Sequence, residues 1–268
     1  MNIVILGSKG MLGSAVARYF ENNSVEFLTF DERFSLEDAY SYLESLNKLQ
    51  PDFIINCVGS IPQKNKNITR YFTCNSALPA FLSCHTNGFV IQPSTDCIFS
   101  ANDRGLSYFP SSVSPFSAQD QYGLSKAMGD LTLSNSADSI VVRTSIIGLT
   151  KNCSSGGLLD WFVKNENGSV DGYVNHLWNG ITTDAWINWV YKQVIISPTN
   201  KRKSGVVHLG STDFVSKFEI LSMLNDIMGL NIQINKTRDQ YLSDRRLKVD
   251  YKVNNVEKLL KDTVKFWS

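Results

Sequence analysis

The sequence is poor in the residues that hold disulfide-linked or metal-dependent proteins together. Its cysteines number five in 268 residues and form no Cys-x-x-Cys pair; they are Cys57, Cys74, Cys84, Cys97 and Cys153. Thiols this sparse favour small buried side chains in a reducing cytoplasm over a disulfide framework. The three histidines, His85, His176 and His208, lack the spacing of metal ligands. We therefore expect no metal site.

An excess of charge of one sign and long apolar runs are also missing. Twenty-six Lys and Arg against 25 Asp and Glu give a net charge of +1, too little for a broad nucleic-acid-binding field. No apolar run approaches the ~20 residues of a membrane span. The first residues also lack a signal peptide's charged start and long apolar stretch. We expect a cytoplasmic protein that binds neither nucleic acid nor membranes.

Hydrophobic residues make up 43% of the chain, and their arrangement predicts an α/β fold. Short apolar runs, at residues 3–6, 25–30, 53–55, 89–91 and 140–142, alternate with amphipathic helical stretches. This alternation is typical of buried parallel strands in a doubly wound sheet. One predicted helix starts from Ser35 and has its apolar face at Leu36, Ala39, Tyr40 and Leu43.

After residue 147 the sequence becomes more polar and richer in glycine, for example at residues 154–157. We therefore expect a doubly wound parallel-sheet Rossmann domain over residues 1–147, with residues 181–209 returning to it. Residues 148–180 and 210–268 would form a small α/β C-terminal lobe.

A glycine-rich loop follows the first predicted strand and opens the first predicted helix. Gly7, Gly10 and Gly13 form the pattern GxxGxxG. Glycines let the backbone approach a pyrophosphate closely, and the helix N-terminus offers unpaired N–H donors. The Gly-Lys-Ser/Thr ending of an ATP-binding P-loop is missing. The loop therefore predicts a dinucleotide site.

The second predicted strand ends at Asp31, 18 residues beyond Gly13. A carboxylate at this place could bind the adenosine ribose and would repel a 2′-phosphate, which favours NAD(H). Lys9 and Arg33 could attract that phosphate, which favours NADP(H). Both cofactors remain open at this stage.

Tyr122 and Lys126 lie one helical turn apart, so both side chains can face one cleft. A phenol ordinarily has a pKa of about 10, and a neighbouring ammonium can stabilise its anion. Thr95 follows a predicted strand at the carboxyl edge of the sheet, where its hydroxyl could hydrogen-bond a reacting carbonyl. The three residues predict a site that transfers a proton to or from a carbonyl oxygen.

These motifs together resemble the extended short-chain dehydrogenase/reductase family, and most closely its dTDP-4-dehydrorhamnose reductase-like branch. Residues 94–99, STDCIF, resemble the branch's STDYVF segment, and residues 122–126, YGLSK, resemble YGxTK. Residues 142–145 resemble LRTS, residues 56–59 the NAAA turn, and residues 75–79 an NAxxP-like helix. The likeness is good over residues 1–150 and loose beyond.

The resemblance implies a reductase that takes hydride from NAD(P)H onto a 4-keto nucleotide sugar. Tyr122 would protonate the alkoxide, Lys126 would lower the pKa of the phenol and bind the nicotinamide ribose, and Thr95 would orient the carbonyl. The expected cofactor contacts also include, from pyrophosphate to nicotinamide side, Gly7, Gly10, Met11, Leu12, Gly13, Asp31, Phe34, Ser35, Cys57, Val58 and Gly59. The expected substrate contacts are Thr95, Asp96 and Arg246.

Several positions depart from the branch's pattern. Cys97 stands where a Tyr is usual, and Ile146 where a Trp is often found, so the sugar pocket could differ in size. Ala15 replaces the Glu that supports a metal-bridged dimer in some relatives, which argues against a magnesium bridge. A homodimer remains open. Arg245 and Arg246 are the candidates for a diphosphate contact, because a guanidinium pairs well with phosphates.

The leading hypothesis is therefore a 4-ketoreductase for surface polysaccharide or deoxysugar synthesis. An epimerase or 4,6-dehydratase of the same family is the nearest rival, although a dehydratase commonly has Asp-Glu where this chain has Asp96 followed by Cys97. A non-catalytic NAD(P)-binding regulatory subunit is the alternative from another class.

Overall fold

The computed structural model describes residues 1–64, 66–100, 111, 117–151, 156–198 and 202–268. Cys153 and residues 154 and 155 of the glycine-rich stretch, which the sequence analysis singled out, lie outside these ranges.

Seven strands form the main sheet, and every neighbouring pair in it is parallel. They are β1 (Ile3–Leu6), β2 (Leu28–Phe30), β3 (Phe53–Asn56), β4 (Phe89–Ser94), β5 (Ser139–Arg143), β10 (Gly205–Gly210) and β14 (Tyr251–Lys252). Their order across the sheet is β14-β10-β5-β4-β3-β1-β2. The order reverses between β1 and β3, so the sheet is doubly wound, as predicted.

Successive side chains of a strand point to opposite faces, and both faces of this sheet are covered by helices. Ile3 and Ile5 pack with apolar residues of α1 (Met11–Asn22) and α7 (Thr183–Val190). Val4 and Leu6 pack with α2 (Ala39–Asn47) and α4 (Leu78–His85). The apolar runs seen in the sequence are therefore continuous because both of their faces are buried.

The other helices are α3 (Ile68–Phe72), α5 (Gln121–Leu133), α6 (Leu158–Val163), α8 (Lys217–Met228) and α9 (Val256–Trp267). Two of the helical stretches contain a wider π turn, at Thr73–Ala77 between α3 and α4 and at Tyr191–Ile195 after α7. Asp120 caps the N-terminus of α5, and its carboxylate accepts a hydrogen bond from the Gly123 amide at 2.6 Å. This cap fixes where the helix that carries Tyr122 and Lys126 begins.

The predicted apolar face of α2 is wrong in part. Ala39 and Leu43 are buried as predicted, whereas Leu36 and Tyr40 are exposed. Tyr42 and Leu46 complete the buried face. The helix begins at Ala39 and not directly after Ser35, so its i, i+3, i+4, i+7 stripe is counted from a later residue.

A second apolar cluster lies apart from the main sheet. It joins α6 and α8, the first half of α9, and a parallel pair of strands, β7 (Ser169–Tyr173) and β12 (Gln233–Thr237). The remaining short strands are β6 (Ile146–Ile147), β8 (His176–Trp178), β9 (Ile181–Thr182), β11 (Val215–Ser216) and β13 (Ser243–Asp244). Residues 210–268 also supply β14 to the main sheet.

No helix in the part of the chain that the structure describes is long and apolar enough to cross a membrane.

Candidate active site

The glycine loop has the geometry of a close backbone turn. Gly7 has φ of +70°, a left-handed conformation that favours glycine. A Cβ on Gly13 would lie 2.2 Å from the Gly7 carbonyl oxygen, so a larger residue there would force the loop apart. Gly10 precedes α1 with no side-chain cap, which leaves the first amides of the helix available to an anion. The loop thus fits a dinucleotide pyrophosphate.

Asp31 lies directly after β2 and faces this loop. Its carboxylate accepts hydrogen bonds from the Ser8 amide at 3.1 Å and the Ser8 hydroxyl at 2.9 Å, and Lys9 Nζ lies 3.4 Å away. Although slight burial opposes the effect, these groups lower the pKa of Asp31. The carboxylate therefore stays ionised at the loop, where a ribose could approach it.

The expected cofactor residues after β3 also reach the loop. The Cys57 amide donates to the Leu6 carbonyl at 3.0 Å, and a Cβ on Gly7 would lie 3.1 Å from Val58 Cγ2. Gly59 follows them, next to the Asn75 side chain. Met11 and Leu12 begin α1.

Phe34 and Ser35, which were expected to contact adenosine, both have contacts within the protein. Phe34 is 2% exposed, and its ring packs against Tyr42 and Phe81 in the core. The Ser35 hydroxyl accepts from the Asp38 amide at 3.1 Å. Their contacts with adenosine stay a prediction.

Thr95 and Tyr122 meet at the carboxyl end of β4. The Thr95 hydroxyl lies beside the Tyr122 phenol; it donates to Asp96 Oδ1 at 3.3 Å and accepts from the Cys97 amide at 3.2 Å. Burial raises the pKa of Tyr122, and the neighbouring Cys97 and Asp96 raise it further. Although the Thr95 hydroxyl opposes this rise, the phenol is held in its protonated form, and the expectation that Lys126 makes it more acidic stays a prediction.

The Lys126 ammonium reaches the carboxyl end of β4. Its Nζ donates to the Pro93 carbonyl at 2.9 Å, and its side chain is 8% exposed. Burial lowers the pKa of Lys126, while Asp130 and Cys57 oppose the decrease. Burial also raises the pKa of the Cys57 thiol, so that group is neutral.

Asp130 and Arg143 form a buried ion pair that the sequence analysis missed. Arg143 Nε lies 2.9 Å from Asp130 Oδ2, and the two side chains are 2% and 1% exposed. The Ser94 hydroxyl donates to the same oxygen at 2.8 Å. A signal was present, because Asp130 follows Lys126 by four positions and so lies on the same helix face.

Asn75, in the π turn after α3, is a second residue that was not predicted at the site. Its side-chain oxygen accepts from the Ser60 amide at 2.9 Å, and its nitrogen donates to the Ser60 carbonyl at 2.9 Å and the Ser125 hydroxyl at 3.0 Å. It thereby joins the segment after β3 to α5, between Tyr122 and Lys126. A buried π turn of this kind has no clear sequence signal.

Asp96 lies next to Thr95 and is 5% exposed, and Arg245 Nη1 lies 3.7 Å from its carboxylate. Burial raises the pKa of Asp96, and the Arg245 cation opposes the rise. Asp96 lies next to Arg245, which lines a cavity of about 300 Å³. Its walls are Cys97, Phe99, Ser100, Gln119, Asp120, Tyr241, Leu242, Ser243 and Arg245.

Arg246 is not among the residues that line this cavity. Its guanidinium makes two bonds to Asp244, at 2.9 Å and 2.7 Å, and lies over the Phe214 ring. Of the two adjacent arginines, Arg245 is the one beside Asp96 and Cys97. A substrate contact for Arg246 stays a prediction.

Among the described residues, no group of three or more His, Cys, Asp or Glu side chains is arranged to hold a metal ion.

Residues 3–191 match the sequence model of the NAD-dependent epimerase/dehydratase family. The chain belongs to that family. No curated protein matches the chain in the corresponding sequence search.

Solved structures of sugar-nucleotide enzymes share the fold over nearly the whole chain. dTDP-4-dehydrorhamnose reductase from Bacillus anthracis, crystallised with NADP, is 14% identical with a TM-score of 0.83, covering 98% of each chain. dTDP-glucose 4,6-dehydratase from the same organism, crystallised with NAD, is 16% identical with a TM-score of 0.75, covering 100% of this chain and 96% of its own.

The UDP-Glc/GlcNAc 4-epimerase from Campylobacter jejuni is 14% identical with a TM-score of 0.74, covering 99% of this chain and 98% of its own. At these identities the likeness establishes the α/β fold, and it includes reductases, dehydratases and epimerases alike. The chain thus belongs to the NAD-dependent epimerase/dehydratase family, and its fold is shared by enzymes of all three reaction types.

Proposed function

We propose that the protein is an NAD(P)H-dependent reductase of a 4-keto nucleotide sugar. The observation that supports this most directly is that the Thr95 hydroxyl lies beside a protonated Tyr122 phenol, next to a cavity of about 300 Å³. A hydroxyl and a proton donor that lie side by side can both reach one carbonyl oxygen.

In this mechanism the bound reduced nicotinamide supplies the hydride. Thr95 donates a hydrogen bond to the carbonyl oxygen and holds it next to the Tyr122 hydroxyl. As negative charge develops on that oxygen, Tyr122 gives up its proton to it. The raised pKa of Tyr122 suits this direction, because the phenol remains protonated until an alkoxide forms.

Lys126 would contribute its positive charge to the same site. The charge lies at the carboxyl end of β4, where it would favour the phenolate that remains after proton transfer and would hydrogen-bond the nicotinamide ribose. Gly7, Gly10, Gly13, Met11 and Leu12 would hold the pyrophosphate at the start of α1.

The substrate would enter the cavity beside Cys97. Its lining combines the aromatic rings of Phe99 and Tyr241 with polar side chains, a mixture that suits a sugar. Arg245 offers a cation for an anionic part of the substrate, such as the diphosphate, and Asp96 holds it at 3.7 Å. The second apolar cluster would then be the core of the substrate-binding lobe, over residues 148–180 and 210–268.

We further propose a cytoplasmic place in surface polysaccharide or deoxysugar synthesis and association into a homodimer. The candidate face for the dimer is an apolar groove of about 380 Å³ whose walls include Leu36, Phe72, Ala80 and Met128. Met128 and the neighbouring Leu124 are exposed on α5. Molecular-mass measurement in solution, for the wild type and Met128→Glu, tests this part.

The reaction is tested with UDP-, dTDP-, GDP- and CMP-linked keto sugars and both reduced cofactors, followed by nicotinamide absorbance. The proposal expects stoichiometric oxidation with one sugar class. An epimerase or dehydratase would convert the sugar without net oxidation, because it regenerates its cofactor. Tight cofactor binding without conversion of any sugar would support a regulatory subunit instead.

A further inference from the structure

A buried charge cluster lies beneath the proposed proton donor, where α5 crosses the carboxyl ends of β4 and β5. It consists of Lys126, Asp130 and Arg143, and all three residues are buried. Arg143 pairs with Asp130, and the charge of Lys126 is influenced by the same carboxylate. Charges are costly to bury, and each must be compensated by a partner.

Asp130 is the residue that all parts of this cluster share. Its Oδ2 accepts from Arg143 Nε at 2.9 Å and from Ser94 Oγ at 2.8 Å. Its Oδ1 is buried and has no hydrogen-bond partner among the described residues. The carboxylate thus connects α5 to β5 and to the residue that directly precedes Thr95.

Lys126 lies one turn before Asp130 on the same helix. Its ammonium donates to the carbonyl of Pro93, the neighbour of Ser94, at 2.9 Å. The groups that face it are Asp130 on its own helix, the neutral Cys57 thiol after β3, and the Pro93 carbonyl of β4. Asp130 is the carboxyl group among these; burial raises its pKa, and the cations Arg143 on β5 and Lys126 oppose the rise.

A purely structural need would not require a carboxylate here. Replacing a buried ion pair by apolar side chains of similar size is often neutral or stabilising, whereas removing one partner is costly. Asp130 and Arg143 could therefore be exchanged together for apolar residues without loss of the fold. Lys126 would then remain buried without an anion, and a buried lysine in that situation gives up its proton.

We propose that Asp130 is a positioning residue that keeps the Lys126 ammonium charged and fixes it, with Ser94 and Thr95, under Tyr122. The proposal rests on the proposed function in one respect, namely that the charge of Lys126 serves the proton donor.

The first test follows the protein without substrate. NMR titration of lysine labelled with ¹³C and ¹⁵N at the side-chain terminus, assigned with Lys126→Met, gives the protonation of Lys126. Asp130→Asn and the double variant Asp130→Leu/Arg143→Met should each raise the acid dissociation constant of Lys126 at least about tenfold. Asp160→Asn removes a buried carboxylate from α6, which bonds Thr150 at 2.9 Å, and should leave Lys126 unchanged.

A second NMR measurement uses the wild type alone and so does not depend on whether a variant folds. The Asp130 ¹³Cγ chemical shift should show an ionised carboxylate throughout the pH range in which Lys126 is charged. A protonated Asp130 in that range, or an unchanged Lys126 titration in a folded Asp130 variant, overturns the proposal whatever substrate the enzyme uses.

The second test uses the reductase reaction. The folded double variant should retain wild-type cofactor affinity to within about tenfold and lose turnover at least about tenfold, and the alkaline limb of its rate profile should move to lower pH. If the cluster is merely structural, the double variant regains the wild-type rate and pH profile. If no sugar is reduced by the wild type, the proposed function fails, and the NMR titration still decides the role of Asp130.

Discussion

Two ion pairs in this chain have the same chemistry and very different surroundings. Lys9 and Asp31 meet at the glycine loop, with side chains 86% and 28% exposed. Arg143 and Asp130 meet beneath Tyr122, with side chains 2% and 1% exposed. Exposed pairs typically contribute about 0–1 kcal/mol, whereas breaking a buried pair typically costs about 3–5 kcal/mol.

The comparison separates two ways of building a site. At the glycine loop, backbone shape carries the recognition, and charge adds only a mobile contact at the surface. Beneath Tyr122, buried charges fix the positions of Lys126 and of the strand that carries Thr95. The effects of substitutions at the two places should therefore differ in size and in the property that changes.

Tyr122→Phe should have the largest effect on catalysis. It removes the donated proton and keeps the ring against Tyr71, so turnover should fall by about 10²–10⁴-fold while cofactor affinity stays within about twofold. Initial rates and fluorescence titration with the reduced cofactor measure the two quantities. A variant that retains wild-type turnover would remove Tyr122 from the mechanism.

Arg143→Met should cause the largest loss of stability. It leaves the Asp130 carboxylate buried without its 2.9 Å partner, so the free energy of unfolding should decrease by about 3–5 kcal/mol. Urea denaturation at neutral pH measures this decrease. A loss below about 1 kcal/mol would mean that the buried pair behaves like the exposed one, and the comparison would fail.

Gly13→Ala should affect the loop through shape alone. The added Cβ would lie 2.2 Å from the Gly7 carbonyl oxygen, so the loop must move, at a cost of about 1–3 kcal/mol. Cofactor affinity should fall together with stability. Ser14→Ala, one residue further along α1, is the matched control, and an equal loss in both variants would contradict the assignment of the loop.

Lys9→Met should have the smallest effect. Its ammonium is exposed and 3.4 Å from Asp31, so the free energy of unfolding should change by less than about 1 kcal/mol, and the change should vanish at high salt. Urea denaturation at low and high ionic strength checks both points. A large, salt-independent loss would show that charge is as important at the loop as beneath Tyr122.

The sequence predicts best what is determined by neighbouring residues. The Gly7–Gly13 loop, its flanking strand and helix, and the strand that precedes Thr95 follow from local pattern, because tight turns and continuous apolar runs are encoded there. The α2 face was misplaced in part because the helix begins at Ala39, three residues after Leu36, and the local pattern after Ser35 does not show where the helix begins.

The remaining features depend on distant parts of the chain. Ser94 and Asp130 are 36 positions apart, and Asp130 and Arg143 are 13 apart. The parallel pairing of β4 and β5 places Ser94 next to Arg143, and both contact Asp130 of α5. The same holds for Arg245, which reaches Asp96 from the other end of the chain, and for the raised pKa of Tyr122, which results from burial and not from sequence spacing.

The central claim is that this site reduces a sugar and does not merely rearrange it. The most direct measurement uses reduced cofactor carrying deuterium at the transferred position, with mass spectrometry of the sugar nucleotide that responds in the substrate panel. The account predicts one deuterium on the product carbon for each oxidised cofactor. Product formed without deuterium and without net cofactor oxidation would contradict it.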